Sequence, residues 1–491
     1  HKEYRRQRQM CIRDSCYVRE SPDGASLQSP LRLHAILLKG MQRANLLSFL
    51  HLSRIVSMIE SRLSFPKKLI SLALGAGLSL LAGSALAAED TIKVGILHSL
   101  SGTMAISETT LKDTMLMLID EQNRKGGLLG KKLEPVVVDP ASNWPLLAEK
   151  TRELISKDKV AAIFGCWTSV SRKSVLPVVE ELNGLLFYPV QYEGEESSKN
   201  VFYTGAAPNQ QAIPAVDYLM NDLKVKRWVL AGTDYVYPRT TNKILEAYLK
   251  AKGVKEKDIM INYTPFGHSD WQSIVADIKK FGSTGKKAAV VSTINGDANV
   301  PFYKELGNQG ISAEKIPVVA FSVGEEELSG VDTKPLVGHL AAWNYFMSVD
   351  TPENAAFITR WQQFTKNRQR VTNDPMEAHY IGFNMWVKAV EKAKSTDTDA
   401  VAKAIIGTEF PNLTGGTSKM LPNHHISKPV LIGEIQDDGQ FQVVWQTKKL
   451  VDGDAWSDFL PESKPIIADW TPPINCGNYN TKTKKCSGQK Y

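Results

Sequence analysis

The pattern of apolar and polar positions alternates along most of the chain between short apolar runs and longer amphipathic segments. The run at residues 160–164 is apolar throughout, which is typical of a strand buried on both faces of a parallel sheet. Residues 108–125 place Met115 and Leu118 on one face of a helix. After Pro208 the alternation begins again. The pattern therefore predicts an α/β fold with two doubly wound parallel-sheet lobes.

The same pattern gives bounds for the individual elements. Strands are predicted at residues 91–97, 133–139, 160–164, 185–188, 227–231, 258–264, 288–292, 317–321 and 338–345. Helices are predicted at residues 108–125, 171–183, 239–252, 270–281, 300–309, 352–367, 374–393 and 398–406, and one more is capped by Asn143. The turn Asp437-Asp438-Gly439 indicates a hairpin between residues 430–436 and 440–446.

Two lobes imply a ligand cleft and a division of the chain between them. We expect three crossings between the lobes, near residues 205–209, 343–348 and 427–431. The first lobe would comprise residues 88–207 and 348–428, the second residues 208–347 and 429–450, and residues 451–491 would form a surface tail.

Residues 58–87 have the features of a cleaved signal peptide. Basic residues precede the apolar run 69–81, and Ala85-Leu86-Ala87 fits a small-x-small cleavage site. We therefore expect a periplasmic chain that begins at Ala88, with an uncleaved membrane anchor as the alternative. Residues 1–57 precede this signal, and residues 9–15 resemble translated adapter sequence, so the segment is expected to be a non-native extension. A disordered native extension is the weaker alternative.

Removing residues 1–87 changes the charge of the chain. The whole sequence has a formal net charge of +7, which would suggest a nucleic acid or an anionic membrane as partner. Residues 1–87 hold 13 basic and 5 acidic side chains, which leaves 46 basic and 47 acidic side chains beyond them. The remaining net charge of −1 supports no nucleic-acid partner, and membrane contact is expected only through a membrane protein.

Three cysteines remain after residue 87, and they suggest different roles. Cys476 and Cys486 flank a polar loop and would plausibly pair in an oxidising periplasm. Cys166 follows an apolar strand, where a lone cysteine is more often a small buried hydrophobe than a nucleophile.

Signals for an enzyme are weak. The segments 126–132 and 282–287 place glycine near lysine without the spacing of a phosphate-binding loop. His424 and His425 are adjacent, which does not place two imidazoles on one helical face for a metal. We therefore expect neither a metal nor a cofactor, and a binding protein rather than an enzyme.

Binding signals concentrate in loops that follow predicted strands. Residues 165–211 and the segment after residue 231 carry rings together with hydroxyl, amide and carboxyl groups, where an open α/β sheet binds its ligands. One ring at a strand end is often core packing, but buried polar groups beside it are costly without a role. Ser169 also suits the N-cap of the following helix. The candidates from these loops are Trp167, Thr168, Ser169, Tyr188, Gln191, Tyr192, Glu193, Tyr235 and Tyr237.

These loops resemble a known family, the urea and short-chain amide branch of the type I periplasmic binding proteins, which is related to the branched-chain amino acid receptors. The resemblance spans residues 91–470. It is carried by residues 165–169, 188–194, 203–211, 232–239, 321–326 and 376–380.

The resemblance implies that the two lobes close on urea or a short-chain amide and deliver it to the permease of an ABC transporter. Ser169 and backbone N–H groups would then hold the ligand oxygen, and Glu193, Ser322 or Glu325 would accept its N–H groups. Trp167, Tyr188 and Tyr237 would form the walls. A branched-chain amino acid as ligand, a cytoplasmic amide sensor and an amide-cleaving enzyme are the alternatives.

Overall fold

Two β-sheets organise the part of the chain that the structure describes. The structure is a computed structural model that describes residues 91–329 and 331–461, together with the backbone at residues 479–480 and 485–486. The described residues all belong to one unit, Ala88–Tyr491. The expected N-terminal extension, the signal peptide, the Cys476–Cys486 disulfide and most of the tail lie outside the described residues.

The first sheet has five parallel strands in the order β2-β1-β3-β4-β5. Its strands are β1 Ile92–Leu97, β2 Leu133–Val138, β3 Ala162–Gly165, β4 Leu186–Tyr188 and β5 Val201–Tyr203. The helices between them are α1 Ala105–Arg124, α2 Trp144–Ser156 and α3 Ser169–Glu181. Asn143 caps α2 as predicted, because its Oδ1 accepts a hydrogen bond of 2.9 Å from the Leu146 N–H.

The second sheet has seven strands in the order β15-β14-β10-β9-β8-β6-β7. Its first elements are α4 Ala212–Asn221, β6 Arg227–Thr233, α5 Val236–Ala251, β7 Ile259–Thr264, α6 Gln272–Gly282, β8 Ala288–Thr293, α7 Asn299–Asn308, β9 Val318–Ala320, α8 Glu325–Leu328 and β10 Leu340–Trp343. Strands β6 to β10 pair in parallel. The predicted hairpin is present as β14 Leu431–Ile435 and β15 Phe441–Gln446, and it adds an antiparallel edge to this sheet.

The chain returns to the first sheet before it forms that hairpin. The returning elements are α9 Pro352–Thr365, α10 Asp374–Ala393, α11 Thr398–Ile405, β11 Glu409–Pro411, β12 Thr417–Lys419 and β13 Ser427–Lys428. Strand β16 Val451–Asp452 pairs with β13. We call each sheet with its packed helices a lobe; the predicted lobe boundaries stay a prediction.

Aromatic stacking fixes the core of the first lobe. The ring centroids of Phe164 and Phe187 lie 4.7 Å apart, and those of Phe187 and Phe202 lie 5.1 Å apart, so one stack crosses β3, β4 and β5. Trp386 of α10 meets Phe164 edge-on at 5.9 Å. Each ring is buried, and burying a side chain of this size stabilises the fold by about 1.5–3 kcal/mol.

One asparagine joins the three segments that connect the lobes. The side-chain amide of Asn344 donates hydrogen bonds of 2.9 Å to the Gln210 carbonyl and 2.6 Å to the Pro429 carbonyl. These three residues lie in the crossings after β5, after β10 and before β14. Buried Lys428 reaches the first crossing too, since its ammonium donates to the Thr204 carbonyl at 3.2 Å. We call these three hydrogen-bonded segments the hinge.

The structure differs from the predicted elements at their ends and in elements that were not predicted, among them helix α4 and strand β5. Strand β5 was not predicted, because its three apolar residues are too few to show a period. Helix α3 begins at Ser169 rather than Ser171, and its N-cap is Thr168, whose side chain accepts from the Ser171 N–H at 3.1 Å. The predicted alternative of Ser169 as the N-cap was therefore wrong.

The first crossing depends on a close approach of two backbone segments. A Cβ atom at Gly205 would lie 2.1 Å from the carbonyl of Val190, a backbone group that cannot move aside. A Cβ atom at Gly253, which follows α5, would meet nothing within 4 Å, although Gly253 has a φ of +84°. The two glycines are required for different reasons.

We predict that Gly205→Ala lowers the free energy of unfolding by about 3 kcal/mol or more because of backbone overlap. Gly253→Ala is expected to cost only about 1–2 kcal/mol, the strain of a left-handed residue. Guanidinium chloride denaturation of both variants measures the two losses. Equal losses would contradict the close approach at Gly205.

Candidate functional site

Loops at the carboxyl ends of strands from both sheets meet at one place. From the first lobe come the loops after β3 and β4, and from the second lobe come the loops after β6 and β9. Gln191 donates a hydrogen bond of 2.6 Å from its Nε2 to the Ser322 Oγ, which joins the two lobes directly. Val170 of α3 packs with Tyr235 and Tyr237 of the second lobe. The lobes are therefore closed on each other at this interface.

Aromatic contacts extend this interface to one side. The ring of Phe266, from the loop after β7, lies 4.8 Å from that of Tyr235 and 5.6 Å from that of Trp144 in the first lobe. Tyr235 and Tyr237 are 6% and 2% exposed. These rings form an apolar contact between the two lobes.

Four buried charged side chains lie behind the first-lobe loops. Arg172 is 2.8 Å from Glu196 (Nε to Oε1) and 3.1 Å from Glu193 (Nη2 to Oε1). The Lys173 ammonium is 2.5 Å from Glu196 Oε2 and 3.7 Å from Glu193 Oε1. We call these four side chains the ion cluster. Two cations balance two anions, so the cluster carries no net charge.

The ion cluster holds its charges despite burial. Burial opposes the charge on Arg172, yet Glu196 and Glu193 raise the pKa of its guanidinium well above the usual value. Burial would raise the pKa of Glu196, but Arg172 and Lys173 lower it to about 2. The guanidinium contacts the rings of Tyr188 and Tyr192, 4.6 Å and 4.5 Å from their centroids. These ion pairs and ring contacts join α3 to β4 and the loop after it.

The hydrogen bonds of Ser169 differ from the predicted role. Its hydroxyl donates to Glu193 Oε2, and its oxygen accepts a hydrogen bond of 3.2 Å from Arg172 Nη1. We expected this hydroxyl to donate to the oxygen of a ligand. The structure corrects that expectation, because the single hydroxyl proton is already donated to a carboxylate.

Three side-chain atoms in the loops that meet here are buried without a hydrogen-bond partner: Trp167 Nε1, Gln191 Oε1 and the Tyr237 hydroxyl. Their residues are 2%, 3% and 2% exposed. Burial raises the pKa of Tyr237, while the neighbouring side chains of Ser322 and Gln191 oppose the rise. A buried polar atom without a partner costs about 1–3 kcal/mol. These atoms are therefore the strongest candidates for ligand contacts.

Tyr188 positions the loop that carries Trp167. Its hydroxyl donates to the Trp167 carbonyl, and its ring covers Arg172. Burial raises the pKa of the Tyr188 hydroxyl, so it acts as a neutral donor. The Tyr188 hydroxyl therefore has a partner within the protein, and its predicted role as a ligand wall stays a prediction.

Three predicted site residues have other partners. Thr168 caps α3. Tyr192 belongs to an aromatic stack with Tyr203 and His425. The ring centroids of Tyr192 and Tyr203 lie 5.0 Å apart, and those of Tyr203 and His425 lie 4.6 Å apart. Glu325 accepts a hydrogen bond of 2.6 Å from the Met347 N–H in the second crossing. The structure thus brings together Trp167, Ser169, Tyr188, Gln191, Glu193, Tyr235, Tyr237 and Ser322.

Sequence reasoning missed Arg172 and Phe266. Arg172 follows Ser169 by three residues, so the two share a face of α3. The basic pair Arg172-Lys173 and the acidic residues from Glu193 to Glu196 lie in consecutive segments of the same lobe. That complementary charge was the available signal for a buried ion cluster. Phe266 gave no signal, since its role depends on how the two lobes meet.

The remaining chemically suggestive residues have structural roles. Cys166 is buried, and burial together with Glu108 raises the pKa of its thiol. Burial lowers the pKa of His425 to about 4, so this imidazole is neutral near pH 7. In the described part of the chain, no group of three or more histidine, cysteine, aspartate or glutamate side chains is placed to hold a metal ion. Within residues 91–329 and 331–461, no helix has the length and apolarity needed to cross a membrane.

The buried position of Glu325 beside the second crossing can be tested through the pH dependence of stability. Burial raises the pKa of its carboxyl to about 8 from the usual 4.5, so the folded protein keeps a proton that the unfolded chain loses between these values. This contribution to stability is complete below pH 4.5 and is lost as the pH rises through 8, by up to about 1.4 kcal/mol per pH unit.

We therefore predict that Glu325→Gln, which mimics the neutral carboxyl, becomes more stable relative to the unmodified protein as the pH rises from 5 to 8. Thermal unfolding in the absence of urea, at a series of pH values, measures the difference in stability between the variant and the unmodified protein. Exposed Glu314 provides the control, since Glu314→Gln is expected to leave the profile unchanged. A constant difference for Glu325→Gln across this range would contradict the burial of a protonated carboxyl.

Comparison with known proteins places this architecture. Residues 92–462 match the periplasmic binding protein domain family. A Leu/Ile/Val-binding protein homolog 7 of Brucella melitensis is 26% identical over 405 residues, covering 77% of this chain and 96% of that protein. The Leu/Ile/Val-binding protein BraC3 of Rhizobium johnstonii is 28% identical over 344 residues, covering 67% and 87%.

A solved solute-binding protein of an ABC transporter from Rhodopseudomonas palustris HaA2, in complex with p-hydroxybenzoic acid, shares the fold. Its TM-score is 0.65 at 22% identity, over 75% of this chain and 99% of that chain. These relatives and this neighbour are solute-binding proteins rather than enzymes. The chain belongs to the periplasmic binding protein domain family and is a solute-binding protein of the ABC-transporter type, related to the Leu/Ile/Val-binding proteins.

Proposed function

We propose that this protein binds urea or a short-chain amide between its two lobes and delivers it to the permease of an ABC transporter. The observation that carries the proposal is the set of unpartnered polar atoms at the lobe interface: Trp167 Nε1, Gln191 Oε1 and the Tyr237 hydroxyl. They belong to loops from both lobes. A ligand that bonds all three would stabilise the closed form over the open one.

The chemistry of these atoms suits an amide. An indole N–H only donates, a side-chain amide oxygen only accepts, and a phenol hydroxyl does both. Urea and short amides offer a carbonyl oxygen for the indole N–H and N–H groups for the Gln191 oxygen. A simple carboxylate offers acceptors alone, so its oxygen would face the Gln191 oxygen without a proton between them. The donor set therefore favours an amide over a carboxylate.

Charge and size support the same ligand. The ion cluster behind the site has no net charge, which suits a neutral ligand. The Gln191–Ser322 hydrogen bond holds the lobes in direct contact beside the unpartnered atoms, and this supports a ligand with few heavy atoms. A leucine side chain would require an additional apolar space at this contact.

A branched-chain amino acid is the second candidate ligand, favoured by the similarity to proteins named as Leu/Ile/Val-binding. Its α-ammonium group would also satisfy the Gln191 oxygen. The two candidates differ in the side chain that the closed interface must accommodate, so a direct comparison of ligands separates them.

The signal peptide predicted at residues 58–87 would place the protein in the periplasm, where it would meet its ligand before the permease. The closed arrangement of the lobes is the form that a permease would recognise. Release then requires the hinge segments tied by Asn344 to open, which is a domain closure reversed.

We predict that calorimetric titration of the purified protein shows binding of urea or acetamide and no heat with leucine. The physical reason is that the amides satisfy the buried donor and acceptors without needing a side-chain pocket. 4-Hydroxybenzoate serves as a carboxylate control and is expected to give no heat. Binding of leucine in the absence of amide binding would contradict the proposal.

We further predict that Trp167→Phe weakens urea binding by about tenfold or more, because it removes one buried donor while keeping a ring. Trp386→Phe is the matched control. Its indole N–H is also buried and without a partner, but Trp386 lies on α10, outside the loops that meet at the interface. The same calorimetric titration measures both variants. Equal urea affinity in Trp167→Phe and the unmodified protein would move the ligand away from this loop.

A further inference from the structure

The hydrogen bonds of Ser169 leave it with one defined capacity toward a ligand. A serine hydroxyl has one proton to donate and two lone pairs to accept. The proton is donated to Glu193 Oε2, and one lone pair accepts from Arg172 Nη1 at 3.2 Å. One lone pair remains. Ser169 can therefore accept a hydrogen bond from a ligand and has no proton left to give.

Arg172 is the residue that sets this direction. It contacts Glu193 with Nη2 at 3.1 Å and Ser169 with Nη1 at 3.2 Å, so one planar guanidinium orients both groups. The carboxylate of Glu196 holds the guanidinium from the other side at 2.8 Å. The rings of Tyr188 and Tyr192 also contact the guanidinium, 4.6 Å and 4.5 Å from its central carbon. These contacts hold Arg172 beside Ser169, whose hydroxyl donates to Glu193.

We propose that Arg172 is a specificity-determining positioning residue: through Glu193 it fixes Ser169 as a hydrogen-bond acceptor and so selects ligands with N–H groups. The inference rests on the proposed amide-binding function and adds to it the device that rejects carboxylates of the same shape. Arg172 itself acts through Ser169 and does not contact the ligand.

The carboxylate of Glu193 also lies close to the second-lobe side of the interface. Burial raises the pKa of the Tyr235 hydroxyl; Tyr188, Tyr237 and Glu193 add to the rise, and Arg172 opposes it. The influence of Glu193 thus reaches the second-lobe side of the interface. A ligand carboxylate would meet a serine without an available proton and a carboxylate behind it.

The experiment compares acetamide with acetate, which have nearly the same shape and differ in the N–H group. In the unmodified protein, acetamide is expected to bind at least about 100-fold more tightly than acetate, measured by displacement of urea in calorimetry. Glu193→Gln supplies an amide that donates to Ser169, which frees the serine proton for a ligand oxygen. In this variant, the ratio of acetamide affinity to acetate affinity is expected to fall by about tenfold or more.

Glu180→Gln is the matched control. Glu180 is a half-buried carboxylate on α3 that, like Glu193, accepts a hydrogen bond from a serine: Ser198 donates to it at 2.7 Å, away from the lobe interface. In Glu180→Gln, the ratio of acetamide affinity to acetate affinity is expected to stay within about twofold of that of the unmodified protein. Ser169→Ala covers the case in which Glu193→Gln does not fold. As loss of an acceptor, it is expected to weaken acetamide and to leave acetate unchanged.

The outcomes separate the inference from the function on which it rests. Amide binding in the unmodified protein with an unchanged ratio in Glu193→Gln would overturn the role of Arg172 and leave the proposed function standing. For Ser169→Ala, an equal loss of acetamide and acetate affinity would likewise overturn it, since Ser169 would then be a donor. Binding of neither urea nor acetamide by the unmodified protein would overturn both.

Discussion

The buried ion cluster is the constraint on which the closed interface depends. Removing four charges from water is costly, and removing one partner of such a group costs about 3–5 kcal/mol because the other charge stays buried. Arg172 and Glu196 are fully buried, so each must keep its partner. These ion pairs hold α3 against the loop after β4. They thereby set the orientation of Ser169 and Tyr188, which contact Glu193 and Arg172.

Much of the fold could be predicted from the sequence because its signals are local. Helix α10 agrees with its predicted bounds of residues 374–393, since an asparagine cap, a proline in the first turn and a long apolar face all mark it. The hairpin was recognised from one Asp-Gly turn. Strand β5 was missed, because three residues show no period. The antiparallel edge that the hairpin adds to the second sheet is set by tertiary packing, which the local pattern does not contain.

The candidate site could be located from the sequence but not resolved in its chemistry. Rings and polar groups at strand ends indicated loops that meet between the lobes, where Gln191 contacts Ser322. The sequence pattern does not predict which group donates and which accepts in each hydrogen bond. Ser169 and Glu193 are 24 residues apart, and their contact depends on how α3 packs against the next loop. Glu325 and Tyr192 were reasonable candidates by type, yet the hinge and an aromatic stack engage them instead.

The central claim is that a small amide lies between the lobes and bonds the atoms that the protein leaves unpartnered. A crystal structure of the protein grown with saturating urea tests this most directly. The account predicts urea beside the Gln191–Ser322 contact, with its oxygen toward Trp167 Nε1 and its N–H groups toward Gln191 Oε1 and Ser169 Oγ. Urea bound with its oxygen toward Ser169, or an interface without urea at saturation, would contradict the account.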